Sequence, residues 1–212
     1  MCGCTGGMRA ATAAIIIALS ILAQTAWADV VCSYEGQFDL RIPANPSANK
    51  GWMNDAVIDV PSHLTIKDLD VSVDLTHSKI FDLQLRLVSP AGTEVFLNMY
   101  DFTTDYREGA DYRGTTFDDE AEIPIEAGVA PFEGRYRPLE GYSLASFDGE
   151  DAYGPWKFRV YDAYYADTGR FHSYSLAIAV PEPAAAAFLL LGLPWVTRLR
   201  NRRVRRQVSD CT

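Results

Sequence analysis

Short runs in which every second residue is apolar recur through the middle of this chain, and no long helical period competes with them. Val71, Val73 and Leu75 form one run, Leu83, Leu85 and Leu87 another; Trp156, Phe158 and Val160, then Tyr174, Leu176 and Ile178, complete the set. The residues between them (Ser72 and Asp74; Gln84 and Arg86; Lys157 and Arg159; Ser175) are polar. A period of two turns alternate side chains to opposite faces, so each run predicts a strand with one dry face and one wet face. Antiparallel sheets tolerate that arrangement, and two of them packed dry face to dry face make a sandwich. Ser89-Pro90-Ala91-Gly92 has the residue preferences of a type I turn and predicts a hairpin over 81–97. Trp156 begins an alternating strand and is expected in the core, so that its loss would unfold the domain.

The two ends have a different character. Residues 13–23 are a charge-free run after Arg9, apolar but for Ser20, and Ala26-Trp27-Ala28 offers the small-x-small pattern of a signal peptidase site. The expectation is a signal peptide over 1–28, cut after Ala28, because the run is too short for a lasting anchor, which needs roughly 20 apolar residues. At the other end Val180-Pro181-Glu182-Pro183 is followed by an apolar stretch, 184–196, and by Arg198, Arg200, Arg202, Arg203, Arg205 and Arg206. As a helix the thirteen apolar residues reach about 20 Å, short of a hydrocarbon core of about 30 Å. The arginines would hold that end on the cytoplasmic side.

Between the ends, residues 29–180 carry 12 Lys and Arg against 26 Asp and Glu. That acidity favours divalent cations and repels polyanions, so nucleic acid is excluded as a partner. With 212 residues in all, 48% hydrophobic, the chain holds one globular domain and is too apolar for disorder. Its four cysteines are too few for a disulfide scaffold, and only Cys32 and Cys211 survive removal of the signal peptide. Cys32 reads as a partly buried, inert thiol, with no internal disulfide.

The order of motif, short apolar helix and arginine cluster over 181–206 resembles the PEP-CTERM sorting signal of Gram-negative bacteria. The resemblance implies recognition by an exosortase, a transient anchor in the inner membrane, and delivery to the cell envelope, the cell surface or the extracellular exopolysaccharide matrix.

A second resemblance covers about residues 38–180. Asp68-Leu69-Asp70-Val71-Ser72-Val73-Asp74-Leu75-Thr76-His77, Phe81-Asp82-Leu83-Gln84-Leu85 and Leu87-Val88-Ser89-Pro90-Ala91-Gly92-Thr93 come first. Thr116-Phe117-Asp118-Asp119-Glu120-Ala121, Gly154-Pro155-Trp156-Lys157-Phe158-Arg159-Val160-Tyr161-Asp162 and Asp167-Thr168-Gly169-Arg170-Phe171 follow. Together they resemble the P (Homo B) domain of kexin- and furin-like proprotein convertases. The resemblance implies a jelly-roll β-sandwich of about eight strands, galactose-binding-like, packing on a subtilisin-like domain and itself non-catalytic. Tyr174 stands where the family usually has tryptophan.

No serine lies in a Gly-x-Ser-x-Gly or Gly-Thr-Ser context, and His63, His77 and His172 are scattered. An enzyme is therefore not expected, and an endopeptidase label would come from larger family members. His77, at a strand end, reads as a hydrogen-bonded structural histidine. Asp118, Asp119 and Glu120 are adjacent, and adjacency cannot supply the gap that glycosidase carboxylates need. Asp118/Asp119, Asp148/Asp151 and Asp162/Asp167 offer hard oxygen donors without Cys/His spacing, which makes calcium the one cofactor the chain suggests. Asp167-Thr168-Gly169 also reads as a hairpin turn. Tyr106, Tyr112, Tyr164 and Tyr165 are the expected ligand-contacting residues, since tyrosine offers a flat face and a hydroxyl at low entropic cost.

Two functions remain open. One is a non-catalytic surface or matrix protein whose domain binds polysaccharide or organises the envelope; the other is an accessory or regulatory subunit of a separate secreted subtilisin-like serine protease.

Overall fold

The computed structural model describes residues 30–48, 50–99, 109–164 and 167–181. The expected signal peptide with Ala26 and Ala28, the tail from Glu182 onward including Pro183, and Tyr106 and Tyr165 lie outside the described residues. Residues Asp29–Pro183 form one compact unit.

Ten strands build two sheets: β1 (Val30–Ile42), β2 (Gly51–Trp52), β3 (Ala56–Val60), β4 (Asp68–His77), β5 (Leu83–Val88), β6 (Glu94–Asn98), β7 (Tyr112–Phe117), β8 (Phe132–Tyr136), β9 (Gly154–Asp162) and β10 (Gly169–Val180). The first sheet runs β1-β10-β4-β7-β8, and the second β2-β9-β5-β6 with β3 also paired to β9. All pairs are antiparallel except β7 and β8. The chain is an all-β sandwich, as its alternating runs require.

Each predicted run is a strand with its apolar row inside. Leu69, Val71, Val73 and Leu75 of β4, Leu83, Leu85 and Leu87 of β5, and Trp156, Phe158 and Val160 of β9 are all buried. The predicted hairpin joins β5 to β6, closed by Gly92 N–H donating to the Ser89 carbonyl over 3.0 Å. Trp156 is fully buried, packs on Phe147 and donates its indole N–H to the Ala152 carbonyl at 2.9 Å. Tyr174 ties the two sheets together. From β10 its hydroxyl donates to the Trp156 carbonyl at 2.9 Å and accepts from the Ile58 amide at 3.0 Å, joining the first sheet to β9 and β3. Burial pushes that phenol well above its ordinary value. A tyrosine thus fills the aromatic position and also bonds across the core.

Two expectations are corrected. Tyr112 is not in the loop but opens β7; its ring is fully buried against Phe132, and its hydroxyl accepts from Asn98 at 2.5 Å. Asp167-Thr168-Gly169 is not a hairpin turn, because β9 and β10 belong to different sheets and the segment carries the chain across the sandwich. Gly169 is required there for space: a Cβ would collide with the Thr76 carbonyl oxygen and the His77 ring.

Candidate functional site

At one end of the sandwich the inward rows run out into polar residues. The row of β4 continues from Leu75 to His77, and that of β9 from Val160 to Asp162; both polar side chains are buried. Between them a 3-10 turn, Ile80–Asp82, delivers a third, Asp82, immediately before β5. The Asp82 carbonyl accepts the Ala163 amide at 2.9 Å, which fixes the turn against the end of β9. Asp167, in the crossing segment, accepts from the Ser78 hydroxyl at 2.7 Å and stands 3.8 Å from Lys79 Nζ.

The four side chains are differently supported. His77 places Nδ1 2.8 Å from the Lys79 carbonyl and Nε2 3.4 Å from Asp162. Asp162 also accepts the Tyr164 amide at 3.2 Å. Asp82 is the exception: it is fully buried, and neither carboxylate oxygen receives a hydrogen bond. Burial foremost, then the neighbouring Asp167 carboxylate and the charge of Asp162, push its pKa up to about 6, against a smaller downward pull from His77. An open cleft of about 330 Å³ is lined in part by His77, Ser78, Asp111 and Thr168, with Asp82, Asp162 and Asp167 outside its lining.

The other predicted carboxylates have protein donors. Asp118 accepts from Arg135 through Nε at 2.8 Å and Nη2 at 2.5 Å, and from the Glu120 amide at 2.8 Å. Burial alone would raise its pKa, but these donors outweigh it and hold the carboxyl below its ordinary value. Asp119 accepts from the Ser143 hydroxyl at 2.6 Å and from the Leu144 and Ala145 amides at 3.0 and 2.8 Å. It caps the 3-10 turn Leu144–Phe147 from a distant loop, alongside the Ser143 side chain. Asp151 pairs with His63 at 2.6 Å, and that bond, helped by the Tyr153 amide, lowers its pKa. Burial, then the charges of Asp68 and Asp119, raise Asp148. Adjacency in sequence therefore did not mean one shared site. Asp118 and Asp119 point to different donors, and Asp162 and Asp167 instead share the neighbourhood of Asp82.

Asp82 escaped the sequence reading, although a signal was present. The alternation that buries Leu75 and Val160 also turns His77 and Asp162 inward, so a polar cluster was due at that end of the core. Of the predicted ligand tyrosines, Tyr164 is exposed and meets Phe81 edge-on with ring centroids 6.0 Å apart. A second open cleft, about 500 Å³, is lined by Asp119, Glu126, Arg137, Glu140, Tyr142 and Ser143 among others. Tyr142, half-exposed, packs on Phe96, over which the Arg86 guanidinium also lies. Among the described residues no group of three or more His, Cys, Asp or Glu side chains could hold a metal ion, and no helix is long and apolar enough to cross a membrane.

The family model of the proprotein convertase P-domain matches residues 66–178. No curated protein matches the chain. Among solved structures, the Aeromonas sobria serine protease in complex with a chaperone is 19% identical, with a TM-score of 0.45 over 79% of this chain and 29% of that one. The structure of the Aeromonas sobria serine protease gives 18% identity and a TM-score of 0.42 over 79% and 30%. The chain thus spans under a third of the length of either structure.

Proposed function

Because the chain belongs to the proprotein convertase P-domain family, a non-catalytic module, we propose that it is an exported binding protein of the cell surface or exopolysaccharide matrix. Its domain is the cargo, and the two ends are addresses. The observation that carries this reading is the pairing of Val30 with Val180 on adjacent strands β1 and β10. Val30 lies just after the expected cut at Ala28, and Val180 opens the Val-Pro-Glu-Pro motif. The described ends of the domain therefore lie side by side on one strand pair, and cuts at the two expected points would leave every core residue in place. Exosortase-type sorting through Val180, Pro181, Glu182 and Pro183, after signal peptidase has acted, would release the sandwich intact.

The second open cleft suits a polar polymer such as a saccharide. Tyr142 offers a ring face and a hydroxyl, while Glu126, Glu140, Asp119 and Arg137 offer hydrogen-bonding groups around it. Tyr164, exposed beside Phe81, does not line this cleft.

The test immobilises the purified domain, residues 29–183, and passes envelope and matrix extract of a producing Gram-negative cell over it. Retention of polysaccharide, weakened by Tyr142→Ala without a change in Tm, supports the reading. Retention of a subtilisin-like serine protease with no polysaccharide overturns it in favour of an accessory subunit, the alternative that family membership brings.

A further inference from the structure

We propose that the outer face of the second sheet is a track for polysaccharide: a linear, uncharged glycan seated in the Tyr142 cleft continues across the sheet as far as Trp52. This rests on the binding reading above and deepens it, since the cleft by itself holds only a short piece of such a chain.

The outward residues of three neighbouring strands fall in one row. Phe96 of β6 lies opposite Arg86 of β5, which in turn lies opposite Arg159 of β9. Side chains directly opposite one another on one face meet across the sheet, so the row runs perpendicular to the strands. The Arg86 guanidinium lies over the Phe96 ring, 4.3 Å from its centroid, and over the Trp52 ring at 4.8 Å; that of Arg159 stands 4.6 Å from the same indole. Tyr161 packs on Trp52 at the far end and Tyr142 on Phe96 at the near end, each with ring centroids 4.9 Å apart. The two ends are open to solvent, Trp52 by 37% and Tyr142 by 39%. Between them each guanidinium rests against a ring that restrains it.

The charges along the row cancel. Arg86 pairs with Glu94 and Arg159 with Asp55, both at 3.0 Å. A polyanion finds no spare cation in these pairs and is repelled by the acidic excess of the domain. Nor does the face have the order of a protein-docking patch, which places an apolar core inside a polar rim. Here exposed rings stand at the ends and charged hydrogen-bonding groups in the middle. An uncharged glycan matches that order: its flat faces pack on the rings, and its hydroxyls, each a donor and an acceptor, meet guanidinium and carboxylate pairs that offer both. Length also points to a chain. Three strand spacings of about 4.8 Å put β2 about 14 Å from β6, and Tyr142 extends the row past β6. One sugar unit cannot reach both ends.

Trp52 reports its own contact. Within residues 29–183 the tryptophans are Trp52, open to solvent, and Trp156, fully buried, so acrylamide quenching of the fluorescence reads Trp52. The 29–183 domain is titrated with the neutral polysaccharide fraction of the producing cell's matrix, intact and hydrolysed to disaccharides. The expected result is that the intact polymer shields Trp52 from acrylamide and the disaccharides do not. Trp52→Ala should weaken the intact polymer on the order of tenfold and leave disaccharide binding unchanged, whereas Tyr142→Ala weakens both. Trp52→Phe, which keeps a ring, should restore most of the affinity, with Tm followed in each variant. Polymer binding that responds to Tyr142→Ala, with Trp52 quenching and the Trp52→Ala affinity unchanged, would overturn the track and leave the cleft reading standing. Absence of binding by either probe would overturn both. Shielding of Trp52 by a protein of the extract, with none by polysaccharide, would overturn the track by making this face a protein-docking surface.

Discussion

The Asp118 network and the Asp82 network lie in one sandwich, are both buried, and treat their carboxylates in opposite ways. Asp118 sits after β7 and meets Arg135 from β8, the strand that runs parallel to it, so a guanidinium and an amide replace the water it lost. Asp82 sits before β5 and meets two other aspartates, so acceptors and not donors surround it. One carboxylate pins two strands together; the other is left among carboxylates. Burial and charge are the same in both cases. The donors are what distinguish a staple from an uncompensated charge.

Substitutions test that contrast directly. Arg135→Ala should have the largest effect, a loss of about 2 kcal/mol in chemical denaturation, because it strips the guanidinium donors from one oxygen of a buried carboxylate and leaves only the Glu120 amide on the other. In the other network the sign should reverse. Asp82→Asn, measured at neutral pH, should gain about 1 kcal/mol by removing an uncompensated buried charge. A loss there would show that Asp82 is already satisfied and that the contrast is false.

Acidity separates the regions more gently. The folded pKa of Asp82, about 6, lies above its unfolded value of 3.8, so the native state holds that proton more tightly. The stability this group contributes is full below the unfolded value and is lost as pH rises through 6. His77, Asp162, Asp167 and Lys79 are the charged or titratable side chains described around it. Asp118 has the opposite sign: its lowered pKa contributes stability above the ordinary carboxylate range, which is lost on acidification. The Tm of the domain should therefore fall between pH 5 and pH 7 in the unsubstituted protein, and fall less in Asp82→Asn. The smallest effect is expected for Asp151→Asn. Its pair with His63 is exposed on both sides, 73% and 54%, and its loss should leave Tm unchanged.

Much of the fold could be read in advance because its signals are local. The alternating runs of β4, β5, β9 and β10, the Ser89–Gly92 turn and the burial of Trp156 all follow from neighbouring residues. The errors came where a local signal had a distant answer. Tyr112 lies among polar and aromatic residues that resemble a loop, yet Asn98 and Phe132 enclose it in the core. Asp167-Thr168-Gly169 has turn residues, but whether a turn closes a hairpin or crosses between sheets depends on which strand receives β10. That strand is β4, not β9. β8 has no alternating run of its own, since Glu133, Gly134 and Arg135 are exposed between Phe132 and Tyr136, and it forms by pairing with β7.

The candidate site divides along the same line. Period-two alternation is a property of consecutive residues, so the order of amino acids already places the side chains of His77 and Asp162 on the inner faces of β4 and β9. It likewise marks the acidic body and its two basic or apolar ends. Which carboxylates would find donors could not be read there, because donors arrive through pairing. Arg135 reaches Asp118 across β7 and β8, and Asp82 meets Asp162 and Asp167 only because β9 packs beside β5 and the chain then crosses to β10. Charge is written residue by residue, but its compensation depends on contacts between segments far apart in the chain, and those exist only once the sheets have closed.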